Sequence, residues 1–218
     1  MHRRYRKASK NSQATLTRPN IAAIVLAAGQ SRRAGEQNKL LVELGDAPMI
    51  SHVVRSAVDS DAYQVIVVTG HEAELVQKTL ENYQAEIVFN ADYVSGMASS
   101  LRIGIQAVAG EMDGALILLG DMPLVSRAQI NQLITGFDPA TERDIVVPCK
   151  DGRRGNPVLW STRYFPALKA LTGDTGGKGL IIENIANVRD VPVIDDAVFT
   201  DFDTPDSLSY RHGPPDSR

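Results

Sequence analysis

The chain has 218 residues, 43% of them apolar and 22% charged, a composition that buries roughly 70% of the unfolded chain's surface and excludes a disordered or fibrous polymer. No run approaches the ~18 apolar residues of a membrane-spanning helix, so no membrane association is expected; the single cysteine, Cys149, allows neither an internal disulfide nor a cysteine-based zinc site, which suits a reducing, cytoplasmic setting. The net charge of −3 hides an asymmetry: six of the 23 basic residues fall within the acid-free residues 1–20, leaving 17 against 26 acids, or −9, for residues 21–218, and an acidic body disfavours nucleic acid as a partner.

Residues 1–20, MHRRYRKASKNSQATLTRPN, lack the apolar core of a secretory signal. They read as a solvated basic tail, although the same composition fits an organellar transit peptide or an upstream start. From Ile21, IAAIVLA is a continuous apolar run, the pattern of a strand buried on both faces. The pattern recurs as QVIVVTG (64–70), AEIVFN (85–90), GALILLG (114–120) and DIVVPC (144–149). Between these runs, Pro48 opens a helical segment with Met49, Val53 and Ala57 at helical spacing, and Met97, Leu101, Ile105 and Val108 repeat it after Gly96. Beyond Cys149 the pattern predicts a hairpin about Asp151-Gly152, a short helix interrupted near Pro166 and a glycine-rich loop, GDTGGKG. A helix ending near Asn187 and two short strands, VRDVPV and VFTDF, complete it. Alternating strands and helices predict an α/β fold: one domain, residues 21–210, of three α/β/α layers with a mostly parallel, Rossmann-like sheet, and a short tail at 211–218.

Open parallel sheets bind ligands beyond the carboxyl ends of their strands. After the first strand the chain reads LAAGQSRRAGEQNKLL, Leu26 to Leu41. Gly29 and Gly35 let backbone amides approach an anion, Ser31 offers a hydroxyl, and Arg32, Arg33 and Lys39 bring positive charge. These are the parts of a phosphate cradle, and equally of a solvated glycine turn. The loop matches neither the dinucleotide fingerprint G-x-G-x-x-G nor the P-loop. Two acidic motifs follow, LGDMP at Asp121 and TDFDTPDSL with Asp201, Asp203 and Asp206; taken alone, each reads as a turn or a helix cap. Neither G-x-S-x-G nor H-E-x-x-H occurs, so no protein nucleophile is expected.

The run LAAG-x-S-x-R-x-G with Asn-Lys-Leu-Leu, then LGDMP, G-M-x-x-S-L and D-x-D-T-P, resembles the molybdenum cofactor cytidylyltransferases, a branch of the MobA-like (MocA-like) NTP transferases within the GT-A-like nucleotidyltransferase superfamily. The likeness covers residues 21–208, and Ala34 departs from it where a bulky apolar residue is usual. It implies that Leu26, Ala27, Ala28, Gly29, Ser31 and Gly35 wrap a triphosphate whose charge Arg33 and Lys39 offset. Thr69, Gly70 and Ser100 then contact the nucleotide, and the helix after Gly96 presents free amides to it while Met97 and Leu101 pack in the core. Asp121 and Asp203 share one Mg2+, and Asn156, Arg154 and Lys178 bind the acceptor. The implied reaction moves CMP from CTP to the phosphate of molybdopterin (molybdenum cofactor) and releases pyrophosphate, with a molybdenum hydroxylase as a transient contact. Ala28 points to CTP, because related guanylyltransferases carry glycine there. Two other readings stay open: another NTP or a sugar-phosphate acceptor, and a non-catalytic carrier of molybdenum cofactor for a xanthine-dehydrogenase-like enzyme. Lys39, Asp121 and Asp203 together count against the carrier.

Overall fold

The computed structural model describes residues 18–30, 38–138 and 140–202. In its first half the chain forms β1 (Ile21–Ala27), β2 (Glu43–Leu44), β3 (Ala47–Pro48), α1 (Met49–Val58), β4 (Gln64–Thr69), α2 (Ala73–Thr79), β5 (Glu86–Phe89) and α3 (Met97–Ala107). The second half adds β6 (Gly114–Leu119), α4 (Arg127–Gly136), β7 (Ile145–Lys150), β8 (Arg153–Arg154), β9 (Val158–Ser161), α5 (Phe165–Ala170), α6 (Lys178–Glu183) and β10 (Val188–Pro192). No described helix is long and apolar enough to cross a membrane.

The main sheet runs β10-β7-β9-β6-β1-β4-β5, with β8 paired to β7, while β2 and β3 form a separate ribbon. Strands β6, β1, β4 and β5 are mutually parallel, as are β10 and β7. Only β9, antiparallel to both β6 and β7, breaks the order of the main path. Because side chains alternate across a strand, β1 feeds both faces. Ile21, Ala23 and Val25 pack with Met49, Ile50 and Val53 of α1 and with Ile130 and Leu133 of α4. On the opposite face Ile24 packs with Val68, with Leu101 and Ile105 of α3, and with Trp160. Two helical layers thus enclose one sheet, each fully buried aliphatic side chain contributing about 1.5–3 kcal/mol. Helix α3 lies especially close, since a Cβ on Gly104 would stand 2.5 Å from the Ile24 Cγ2 methyl.

The five apolar runs form β1, β4, β5, β6 and β7, and the two periodic segments form α1 and α3. The hairpin forms at Asp151 (φ +51) and Gly152 (φ +77), the paired left-handed conformation that a two-residue turn requires. Two expectations are corrected. VFTDF is no strand: it holds a 3₁₀ turn, Ala197–Phe199, whose backbone bonds sideways. The Val198 carbonyl accepts from Asn156 N at 2.9 Å, the Phe202 amide donates to the Asp121 carbonyl at 3.0 Å, and the apolar residues Val198 and Phe202 serve as buried anchors. Pro166 does not interrupt a helix but stands in the first turn of α5, where its missing N–H has no helical partner to lose. Pro48 ends β3 and precedes α1 as its cap residue. Helices α2 and α4 go beyond the sequence reading, although Ser126 and Gln129 form a reciprocal capping box at the start of α4.

Candidate functional site

Strands β1 and β6 end side by side. The Gly120 amide donates to the Leu26 carbonyl at 3.0 Å, and a Cβ on Gly120 would stand 2.9 Å from that same oxygen, so glycine is what lets Asp121 emerge at the carboxyl end of β1. Lys39 reaches the same place from the 3₁₀ turn Lys39–Leu41. That turn is capped by the Asn38 side chain, which accepts from Leu40 N at 3.1 Å, and is pinned by the buried Leu40 side chain. Lys39 Nζ lies 2.7 Å from Asp121 Oδ2. The other carboxylate oxygen, Asp121 Oδ1, is buried with no hydrogen-bond partner. Such an orphaned acceptor costs about 1–3 kcal/mol, which a bound cation would recover. Among the described residues no group of three or more His, Cys, Asp or Glu gathers to hold a metal. Asp121 fits a cation shared with substrate oxygens and waters, the donor set that magnesium prefers to an all-protein cage.

A cavity of about 360 Å³ opens over this pair, walled by Ala28 and Gly29 after β1, by Tyr93 and Ser95 before α3, and by Ser100. Its charged walls are Lys39, Asp121 and Asp174, a net of one negative charge among the described residues. A polyphosphate placed there depends on added positive charge. Ser100 is oriented from behind by the buried Asn90, whose amide donates to Ser99 Oγ at 2.8 Å and to Ser100 Oγ at 3.0 Å. Leu26 lines the cavity, but Ala27, Thr69 and Gly70 are not among the residues lining it. Ala27 is buried within β1, and the Thr69 hydroxyl donates to the Val88 carbonyl at 3.4 Å inside the sheet. Gly70 serves as a spacer: its Cβ would stand 2.5 Å from Tyr93 Cβ and 2.8 Å from Ala28 Cβ.

A second cavity, of about 500 Å³, holds all three expected acceptor residues, Arg154, Asn156 and Lys178, against an apolar wall that includes Val158, Trp160 and Ile181. The two cavities share Leu26, Met97 and Leu119. Arg154 is already engaged, its guanidinium donating to both Asp190 oxygens at 2.6 and 3.0 Å, and that bond raises its pKa. Arg153 lies with its guanidinium 4.4 Å above the Phe199 ring.

The start of α3 differs from expectation. Its first amides are not free: Met97 N donates to Asp174 Oδ1 at 3.3 Å, and Ala98 N to the Gly173 carbonyl at 3.1 Å. Met97 is no core residue either, since it is 38% exposed and stands between the two cavities. Leu101 is buried as expected. Asp174 and Tyr93 are wall residues that sequence reasoning missed. Tyr93 stands three residues before the G-M-x-x-S-L motif, the nearest signal for it, whereas Asp174 reaches α3 from 77 positions away, a separation no local pattern records. Ser31, Arg33 and Gly35, with Arg32 and Ala34, lie outside the described residues, and so does Asp203, next in sequence to Phe202.

The family described as the MobA-like NTP transferase domain matches residues 23–188 of the chain. A curated relative, nicotine blue oxidoreductase of Paenarthrobacter nicotinovorans, is 26% identical over 200 residues, 88% of this chain and 96% of that protein. Among solved structures, the Mycobacterium sp. strain JC1 homologue of Mycobacterium tuberculosis Rv0371c is 31% identical, with a TM-score of 0.75 over 86% of this chain and 92% of that one. The manganese complex of Rv0371c itself, from M. tuberculosis H37Rv, is 28% identical, with a TM-score of 0.69 over 80% of this chain and 88% of that one.

Proposed function

The chain belongs to the MobA-like NTP transferase family, and from that premise we propose that it transfers CMP from CTP to the phosphate of molybdenum cofactor, releasing pyrophosphate. The observation that carries this reading is the pair of cavities meeting at one wall of Leu26, Met97 and Leu119. One is built around a lysine and a carboxylate, the other around Arg154, Asn156 and Lys178 on an apolar face. A polyphosphate in the first and a phosphorylated, ring-bearing acceptor in the second meet across Met97. Reaction needs only that juxtaposition: an acceptor phosphate oxygen bonds to the α-phosphorus, and the bond from that phosphorus to its leaving oxygen breaks. The leaving electron pair departs on pyrophosphate. Effective concentration and charge stabilisation then supply the rate.

Lys39 offsets the negative charge that grows on the leaving oxygens, with Gly29 opening the backbone beside it and Ser100 offering a hydroxyl. Arg33, Ser31 and Gly35 are assigned to the same cradle by motif, and Ala27, Thr69 and Gly70 support it from behind. A divalent cation at Asp121, with Asp203 as second carboxylate, supplies Lewis-acid neutralisation of the phosphates. Two observations support that assignment: the orphaned Asp121 Oδ1, and the bond from Phe202 N to the Asp121 carbonyl, which brings the chain to Asp121 one residue before Asp203. The manganese carried by the related Rv0371c structure agrees with a divalent ion; magnesium is the ion we assign. The loop after β1 lacks the G-x-G-x-x-G spacing of a dinucleotide site, which favours transfer over the redox chemistry in the Paenarthrobacter relative's name.

The product is then handed to a molybdenum hydroxylase, in the cytoplasm. Pyrophosphate release, measured with Mg2+, molybdopterin and CTP, GTP or ATP in turn, tests the reading. Turnover with CTP at least about tenfold above the others is expected, the discrimination that a few base contacts supply. Absence of pyrophosphate with every nucleotide overturns it.

A further inference from the structure

We propose that Asp174 is a positioning residue: it fastens the segment that walls the acceptor cavity to the helix that walls the nucleotide cavity. The inference rests on the transferase reading for its catalytic consequence, but its structural half stands on geometry alone.

Gly173 and Asp174 lie across the first turn of α3. The Asp174 carboxylate accepts from Met97 N at 3.3 Å and the Gly173 carbonyl from Ala98 N at 3.1 Å. Two of the four amides that open every helix are thereby satisfied from a distant loop, and the carboxylate also faces the positive end of the helix dipole. The approach is tight. Gly96 has φ +111, and a Cβ there would stand 2.4 Å from the Gly173 carbonyl carbon and 2.7 Å from Asp174 N, so the loop rests directly on backbone.

From that anchor the chain crosses between the cavities. Asp174 lines the nucleotide side, while Gly176, Gly177 and Lys178 line the acceptor side. Gly177 is seated on the Trp160 ring, where an added Cβ would stand 2.5 Å from Cζ2, and a Cβ added to Gly176 would stand 3.4 Å from Met97 Sδ. Arg102 of α3 holds the chain just upstream, donating to the carbonyls of Lys169 at 3.1 Å and Leu171 at 3.1 Å. Helix α3 therefore grips the loop on both sides of its bend.

The same helix carries Ser100, and Gly96 and Ser95 precede it, all on the nucleotide wall. One rigid body thus sets the distance between the bound nucleotide and the acceptor residue Lys178. Among the described residues, Asp174 supplies the side-chain bond of the grip at this end of α3. Replacing it by alanine leaves Met97 N without its acceptor and the glycine-rich segment without its tether, whereas asparagine keeps an oxygen in the same place.

Hydrogen exchange of the full chain, compared among wild type, Asp174→Ala and Asp174→Asn, tests the structural half without any ligand. We expect the amides of residues 176–183 to exchange about tenfold faster in Asp174→Ala, the loss a helix cap typically causes. Residues 101–107 should stay protected, and Asp174→Asn should match wild type within about threefold. Unchanged exchange in Asp174→Ala, or equal loosening in Asp174→Asn, overturns the proposal. Kinetics with CTP, Mg2+ and molybdopterin test the other half: Asp174→Ala should raise the acceptor KM about tenfold and asparagine should restore it. Loosened exchange with an unmoved acceptor KM overturns the positioning role. An inactive wild-type chain that still shows the exchange pattern counts instead against the transferase reading.

Discussion

Lys39 Nζ and Asp121 Oδ2 stand 2.7 Å apart at the junction of β1 and β6, although 82 positions separate them in the chain. The pair is mostly shielded, its side chains 13% and 22% exposed. In this arrangement the lysine serves as counterion to a carboxylate whose other oxygen is orphaned.

A divalent ion arriving at Asp121 meets that lysine as a like charge. Two unit charges 4 Å apart interact by about 4 kcal/mol at an effective dielectric of 20, so the conflict is large on the scale of metal binding. Lys39→Met should therefore tighten Mn2+ binding at least about tenfold without nucleotide, read from the free-ion electron paramagnetic resonance signal. The same change should lower turnover by about 10²–10³, since one stabilising group is lost from the transition state. Unchanged Mn2+ affinity in a folded variant means that Asp121 does not hold the ion.

Gly70 backs the Tyr93 wall of the cavity above Lys39 and Asp121. A methyl group there would stand 2.5 Å from Tyr93 Cβ and 2.7 Å from its Cγ, too close for any rotamer to relieve, so Gly70→Ala must shift the Tyr93 wall. Overpacking of this kind costs about 1–3 kcal/mol. Calorimetric titration should show nucleotide affinity falling about tenfold or more while the folded chain retains its circular dichroism. Wild-type affinity in this variant means that Tyr93 forms no part of the nucleotide site.

Arg154 offers a separation of stability from binding. Its bidentate bond to Asp190 is partly exposed, the side chains 31% and 44% accessible, and solvent-screened pairs contribute only about 0.2–1 kcal/mol. Arg154→Ala should leave Tm nearly unchanged yet raise the acceptor KM. Asp190→Asn, which keeps the shape and removes the competing charge, should lower that KM. A large fall in Tm with no change in KM assigns Arg154 to the scaffold.

Residues 1–19 should be dispensable for chemistry. Among the described residues, Asn20 is firmly anchored: its amide donates to Asp113 Oδ2 at 2.8 Å and its carbonyl accepts from Asp113 N at 2.8 Å. Arg18 adds one exposed ion pair with Asp61, which salt screens. A chain starting at Asn20 should keep its fold and turnover number, with any change limited to substrate capture at low salt. Loss of turnover at moderate salt puts the basic segment in the site.

The five long strands and helices α1 and α3 were legible because burial on both faces of a parallel sheet leaves continuous apolar runs, as in IAAIVLA, and an amphipathic helix leaves its period, as in α1. Lys39 and the aspartate of LGDMP were legible for a different reason: charged residues beside a strand end stand in short, local patterns, and the structure brings these two together on one cavity wall. VFTDF misled because its apolar spacing, which buries Val198 and Phe202, resembles that of a strand, while its backbone bonds to Asn156 and Asp121 instead. Only the tertiary structure decided which residues face the cavities. Ala27 sits in the loop motif and Thr69 ends β4, yet neither lines a cavity, and Met97 has a core residue's spacing yet stands exposed between the cavities. The contact of Asp174 with α3 likewise depends on a loop returning across the sheet. Local spacing fixes which side of an element is apolar, but the packing of distant segments determines which polar atoms end beside one another.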